Sequence, residues 1–177
     1  YDFNGGEGQT VGDKSGNGWT GYLGGSVNEE GTDPSWSQGV NGTAMQFDGV
    51  DDYVMCNPFD MPQDEFTVAF WVNTAETDHE SFVVSYAVEE EDNEILIALD
   101  PTLHIEIDWP NKLYTDIEIR DGYWHHIAIT WRSSDGDIKI YVDGVEEKSD
   151  TLSEGVTVEQ GGSLLLGYEQ DEVGGGF

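Results

Sequence analysis

Two acidic segments far apart in the sequence carry the side chains best suited to hold a metal ion. Asp92 and Asn93 precede one apolar run, and Glu169, Gln170 and Asp171 follow another. Calcium is bound by roughly six to eight carboxylate, amide and main-chain oxygens that converge from loops. Acids beside turns are more commonly solvated. The pattern alone therefore indicates calcium only if the fold brings these two segments together.

The histidines are weaker candidates for metal chemistry. His125 and His126 are adjacent on a predicted strand, so their side chains should point to opposite faces and cannot chelate one ion together. His79 and His104 have no acidic or thiol partners at zinc spacing. The chain has many carboxylates, and counting them does not test whether two of them form the catalytic pair of a glycosidase. A glycosidase is therefore left open as an alternative.

Exposed aromatic rings suit sugars, since an apolar ring face matches the face of a pyranose. Trp109, which precedes Pro110, is the best candidate for such a platform, although its ring could equally cover the end of a sheet. We also assign Tyr86, close before the first acidic segment, to the ligand-binding residues.

The net charge of the chain restricts the classes of molecule that it can bind. The chain has 177 residues with 37 Asp and Glu against six Lys and Arg, giving a formal net charge of −31. Such a field repels nucleic acid and anionic lipid unless metal ions intervene, so we expect no nucleic-acid binding and no membrane insertion. Most of the excess acid is typical of a solvated surface. Cys56 is the only cysteine, so no disulfide can form within the chain.

The secondary structure is predicted to be almost entirely β. Short runs alternate apolar and polar residues, as half-buried strands do, and glycine-containing turns separate them. No segment keeps a helical apolar stripe. The implied fold is all-β, a two-sheet antiparallel β-sandwich of the jelly-roll type, behind about forty residues of ordered loop. The predicted strands are 44–47, 53–56, 66–73, 81–86, 94–99, 103–108, 113–119, 125–131, 137–142 and 163–166.

Several segments, in order, resemble the pentraxins. Within 124–133, His126, Thr130, Trp131 and Ser133 follow the spacing of the pentraxin signature, with Ala128 where the family has cysteine. Segments 85–97, 141–144 and 162–171 look like the family's first calcium loop, a later strand and the second calcium loop. The front of the chain, at 13–18 and 45–54, looks like the broader laminin-G-like class.

This resemblance implies a calcium site formed by Asp92, Asn93, Glu169, Gln170 through its main-chain oxygen, and Asp171. In laminin-G-like modules a structural ion often lies near a glycine-rich loop, which makes Asp13, Asn17 and Asp48 a second candidate group, with Asp51 as a further contributor; turns capped by Asp13 and Asn17 are the alternative. The family disulfide would join the positions of Ala69 and Ala128, and we expect these two alanines to pack across adjacent strands in the core. Ala98 stands where choline-binding members carry an aromatic ring, which argues against choline.

The resulting expectation is one laminin-G/pentraxin-like domain over 1–177 that lacks its last strands and binds ligands without catalysis. Its function would be calcium-dependent, lectin-like binding of a glycan or another hydroxyl-bearing or anionic ligand, in an extracellular or cell-surface adhesion protein with further domains. Oligomerisation is left open by the resemblance. Two alternatives remain: a structural spacer made rigid by calcium, and a polysaccharide-cleaving enzyme of the same sandwich class.

Overall fold

The computed structural model describes residues 1–89 and 93–170 and contains only β-strands as regular elements there. None of the described segments forms a helix long and apolar enough to span a bilayer. The strands are β1 (Thr10–Val11), β2 (Gly21–Leu23), β3 (Ser35–Gln38), β4 (Thr43–Gln46), β5 (Val54–Phe59), β6 (Glu65–Val72), β7 (Ser81–Ala87), β8 (Ile95–Leu99), β9 (Leu103–Ile107), β10 (Lys112–Tyr114), β11 (His125–Arg132), β12 (Asp137–Val142), β13 (Val145–Thr151) and β14 (Gly162–Leu166).

Two antiparallel sheets enclose the main core, which confirms the predicted sandwich. The larger has eight strands in the order β1-β2-β5-β14-β7-β8-β9-β10, and the smaller has four in the order β13-β12-β11-β6. Strands β3 and β4 form a separate hairpin. Because side chains alternate between faces, every second residue of a strand enters the core. Ile95, Ile97 and Ile105 do so from the larger sheet, and Ile127 and Trp131 from the smaller.

The predicted strands agree with most observed ones, and three differences have physical causes. The strand expected over 113–119 ends at Tyr114, after which the Thr115 hydroxyl donates to the carbonyl of Leu103. Strand β13 was not predicted, because most of its residues are polar on both faces. The expected front loops contain the short strands β1, β2 and β3, and aromatic residues such as Trp19 and Trp36 pack against the two apolar clusters.

The two alanines at the family's disulfide positions are directly opposite each other, since Ala69 of β6 pairs with Ala128 of β11. The register therefore agrees with the expectation that they lie on adjacent strands. Their expected location in the core is wrong: Ala69 is exposed and Ala128 is half-buried, on the outer face of the four-stranded sheet. A cysteine left alone here would have been a surface thiol.

Candidate functional site

The two acidic segments meet in the folded chain. The side-chain amide of Asn93 donates from Nδ2 to Oε1 of Glu169 over 3.0 Å, across 76 residues of sequence. The same amide accepts at Oδ1 from the Ser85 hydroxyl over 3.2 Å, which ties the first segment to β7. Asn93 is 5% exposed. Asp92 and Asp171, predicted as calcium ligands, lie outside the described residues.

The second segment reaches Asn93 by folding back along its own strand. The side chain of Gln170 donates from Nε2 to the main-chain oxygen of Ser163, near the start of β14, over 2.8 Å. Gln170 is 1% exposed, and its Oε1 receives no hydrogen bond within the described part of the chain. Buried polar oxygens are usually partnered. The second segment therefore carries an unmet side-chain acceptor at Gln170, next in sequence to the Glu169 carboxylate, and carboxylate and amide oxygens are ligands that a hard cation such as calcium prefers.

The tip of the β9–β10 hairpin borders the same place. The main-chain N–H of Trp109 donates to the carbonyl of Asn93 over 3.3 Å, and that of Asp108 donates to the carbonyl of Glu94 over 2.9 Å. The Trp109 side chain is 47% exposed, and Lys112 Nζ lies 4.2 Å from the centre of its ring. Trp109 is therefore an accessible aromatic surface next to the first acidic segment.

The outer face of the eight-stranded sheet carries an ion pair beside this tip. Leu96, Glu106 and Lys112 are cross-strand neighbours in one row, and Lys112 Nζ lies 2.5 Å from Oε1 of Glu106. Burial raises the pKa of Glu106, but hydrogen bonds and charge from His104 and Lys112 outweigh it and hold the pKa below its ordinary value. Burial lowers the pKa of Lys112, and the contact with Glu106 more than offsets this, so the net pKa is raised.

The sequence did not predict the contact of Glu106 with Lys112, and we expected no acidic partner for His104. The fold places His104 Nε2 3.5 Å from Glu80 Oε1 and 3.7 Å from Glu106 Oε1. No signal for this pairing is present in the sequence, because His104 and Glu106 alternate with apolar residues as on a half-buried strand, and only the structure shows β9 buried on both faces. Polar residues in such a strand indicate a paired group.

The assignment of Tyr86 to ligand binding is wrong. Its side chain is completely buried in the core, where the hydroxyl donates to the carbonyl of Glu159 over 2.8 Å and accepts from the N–H of Gly162 over 3.1 Å. Alternation decides this outcome, because Tyr86 follows Ser85, which faces the acidic segments, and must point the other way. Tyr86 is thus a structural link between β7 and the start of β14.

Asp13 and Asn17 form a capped turn. The Asp13 carboxylate accepts from the N–H and hydroxyl of Ser15 and from the N–H groups of Gly18 and Trp19. The hydrogen bonds from Ser15 lower the pKa of Asp13 most, to about 2, with Trp19 and Gly18 contributing. No hydrogen bond or ion pair within 1–89 and 93–170 joins Asp13 or Asn17 to Asp48.

Asp48 instead belongs to a cluster with Asp51 and Asp52. Oxygens of these three carboxylates lie within 4.8 Å of one another, the one such group of three found among the described residues. Burial raises the pKa of Asp52, and the nearby charges of Asp48, Asp51 and Asp33 raise it further against a hydrogen bond from the Asp48 N–H. Mutual repulsion of this kind is relieved by a cation.

The two adjacent histidines have different neighbours, as alternate strand positions require. His125 lies between two carboxylates, with Nδ1 2.9 Å from Asp143 and Nε2 3.2 Å from Asp121. The ring of His126 meets Trp71 edge-on, with 5.2 Å between centroids.

Comparisons with known proteins agree with this architecture. C-reactive protein 1.4 of Limulus polyphemus is 33% identical over 125 residues, 64% of this chain. The chain spans half or less of the length of the curated relatives it matches, 49% in that case. The heptameric SAP-like pentraxin from Limulus polyphemus superposes with a TM-score of 0.57 at 24% identity, covering 71% of this chain and 61% of its own. Domain 4 of an extracellular arabinanase from Geobacillus stearothermophilus, solved with arabinotriose, superposes with a TM-score of 0.66 at 22% identity, covering 89% and 77%.

A family profile described as the concanavalin A-like lectin/glucanases superfamily matches residues 48–177, most of the chain. The profile spans both acidic segments, the four-stranded sheet, and the eight-stranded sheet apart from β1 and β2. With the pentraxin relatives and the superposed sandwiches, it shows that this chain belongs to the concanavalin A-like lectin/glucanase superfamily, in its laminin-G-like and pentraxin-related part.

Proposed function

We propose that this chain is a calcium-dependent, lectin-like binding module of an extracellular or cell-surface adhesion protein, and that it binds without catalysing a reaction. The ion would lie between the two acidic segments, held by Asn93, Glu169 and the main-chain oxygen of Gln170 together with Asp92 and Asp171. Calcium with open coordination positions would then take hydroxyl, carboxylate or phosphate oxygens of a ligand. Trp109 would form one wall of the site.

The contact between Asn93 and Glu169 is the observation that carries this proposal. Oxygens from distant loops must converge for calcium to bind, and this contact brings an amide and a carboxylate within bonding range of one another. The amide of Asn93 presents Nδ2 to Glu169, so ion binding requires its rotation to present Oδ1. Gln170, the next residue after Glu169, keeps an unmet acceptor at its buried Oε1.

Names of similar proteins support the ligand class. The relatives include C-reactive proteins and pentraxins, and the arabinanase domain was solved with a trisaccharide. The bound trisaccharide supports a glycan or another small hydroxyl-bearing ligand. We propose that Asp48, Asp51 and Asp52 hold a second, structural cation, while Asp13 and Asn17 serve the turn they cap.

Thermal melting with calcium and with a chelator tests ion binding, and a calcium-dependent glycan array tests ligand capture. We expect calcium to raise the melting temperature and glycan binding to disappear with chelator. Stabilisation by calcium without any glycan binding would favour the structural-spacer alternative. Release of reducing ends from polysaccharides would favour the enzyme alternative, and an unchanged melting temperature would refute calcium dependence.

A further inference from the structure

An acid, an indole ring and an ammonium group form a compact unit beside Asn93. Glu106 is 1% exposed and lies 2.5 Å from Lys112 Nζ through Oε1, while its Oε2 has no partner within the described residues. The same ammonium lies 4.2 Å from the centre of the Trp109 ring. Trp109 is hydrogen-bonded through its main chain to Asn93. We call Glu106, Trp109 and Lys112 the lysine-filled subsite.

A buried carboxylate next to an aromatic face is the arrangement that binds an ammonium group, since the ring attracts the cation and the acid neutralises it. In this chain Lys112 supplies that ammonium from within the protein. The side chain of Lys112 is 27% exposed and that of Glu106 1%, so the lysine lies between the acid and the solvent. A ligand carrying its own ammonium would therefore have to displace Lys112.

The surrounding charge also disfavours an anion at this position. The charges of Glu106 and Glu80 both act on Lys112, and Glu80 Oε1 lies 3.5 Å from His104 Nε2. Two carboxylates around one lysine leave the subsite with no net positive charge for an acidic group to approach. The accessible surfaces include Trp109, Tyr114, which is 63% exposed and follows Lys112 on β10, and the partly exposed side chain of Lys112. These are surfaces that match hydroxyls and an apolar ring face.

We propose that Lys112 is a specificity-determining residue that fills the subsite beside the calcium loops as an internal cation. The site then takes an uncharged, hydroxyl-bearing group there, such as a sugar ring, and rejects an ammonium group. This inference rests on the proposed calcium-dependent binding, because the ion anchors the ligand whose other end meets the subsite.

Two phosphate esters distinguish binding at the lysine-filled subsite from binding at the calcium ion. Phosphocholine and glycerol phosphate both offer phosphate oxygens to calcium, but one carries an ammonium group and the other uncharged hydroxyls. By calorimetry in calcium, the wild-type chain should bind glycerol phosphate at least as tightly as phosphocholine. Lys112→Ala, measured at about pH 8 so that Glu106 stays ionised, should prefer phosphocholine by about tenfold, the gain expected when a cation binds the freed ring and acid.

Lys139→Ala is the matched control, because Lys139 also pairs with a strand glutamate, Glu146, but on the other sheet. It should leave the ratio of the two affinities at the wild-type value. Adding Trp109→Ala to Lys112→Ala should abolish the gained preference. Circular dichroism checks that each variant is folded, and the wild-type comparison needs no variant.

Titration with calcium alone separates failure of the proposed ion site from failure of the subsite inference. No calcium uptake refutes the proposed function and the inference with it. Calcium uptake with neither ester bound overturns the inference alone, because the glycan array tests the proposed function separately. Calcium and ester binding with a tenfold wild-type preference for phosphocholine refutes the inference alone. A folded Lys112→Ala that still shows no preference for phosphocholine also overturns it.

Discussion

Glu169→Gln tests the proposed ion site with little disturbance of the fold. The substitution removes one negative charge but keeps an oxygen able to accept the hydrogen bond that Asn93 Nδ2 donates over 3.0 Å. Without calcium, the stability of the variant should therefore stay within about 1 kcal/mol of wild type, the net value of a single hydrogen bond.

The loss of calcium affinity can be worked from Coulomb's law. A divalent ion about 2.4 Å from a carboxylate oxygen gains about 3 kcal/mol even at the dielectric constant of water. Removing that charge should weaken calcium binding on the order of a hundredfold. The half-buried position of Glu169 reduces solvent screening, which acts in the direction of a larger loss.

Calorimetric titration and thermal melting measure this loss. At a calcium concentration about 100 times the wild-type Kd, linkage stabilises the wild-type chain by about 2.7 kcal/mol, or roughly 5–10 °C for a chain of this size. At the same concentration the variant should gain only about 0.4 kcal/mol. Glu147→Gln is the matched control, because it makes the same charge change on exposed β13. Equal calcium affinity for Glu169→Gln and wild type would refute the reasoning.

Three further substitutions test other parts of the structure. Tyr86→Phe should lower the free energy of unfolding by about 1–3 kcal/mol, since it leaves the buried N–H of Gly162 unpaired and removes the hydrogen bond to the partly buried carbonyl of Glu159. Denaturant titration against exposed Tyr123→Phe checks this, and equal values would contradict it. His125→Asn tests pH dependence: the neighbouring carboxylates raise the pKa of His125, so its stabilisation is present below about pH 6.5 and is lost as pH rises through the folded-state pKa. Melting across that range should lose this pH-linked part in His125→Asn but not in His79→Asn. Asp52→Asn should raise stability in chelator and reduce the gain from calcium, because it relieves the repulsion that raises the pKa of Asp52; an unchanged calcium gain would place no ion at this cluster.

The sheet architecture was largely predictable from the sequence, because alternation of apolar and polar residues is a local property. Strands β6, β7, β8, β11, β12 and β14 agree with runs visible in the sequence. The pairing of Ala69 with Ala128 was also predictable, through resemblance, but their outward direction was not. Strand β13 was invisible because an exposed edge strand needs no apolar face.

The candidate site was predictable from the sequence only in part. The sequence by itself identified Asn93, Glu169 and Trp109 as candidates, from residue type and from resemblance. Only the tertiary structure decided that Asn93 meets Glu169 and that Trp109 borders them.

The role of Tyr86 and the lysine-filled subsite were likewise decided by the fold. The direction of Tyr86 depends on which face of β7 covers the core, and the pairing of Glu106 with Lys112 depends on the register of β9 against β10. A sequence pattern states which residues alternate, but not which strands become neighbours or which face is covered. Those are set by loop closure and by packing of the two sheets, to which residues far apart in the chain contribute together.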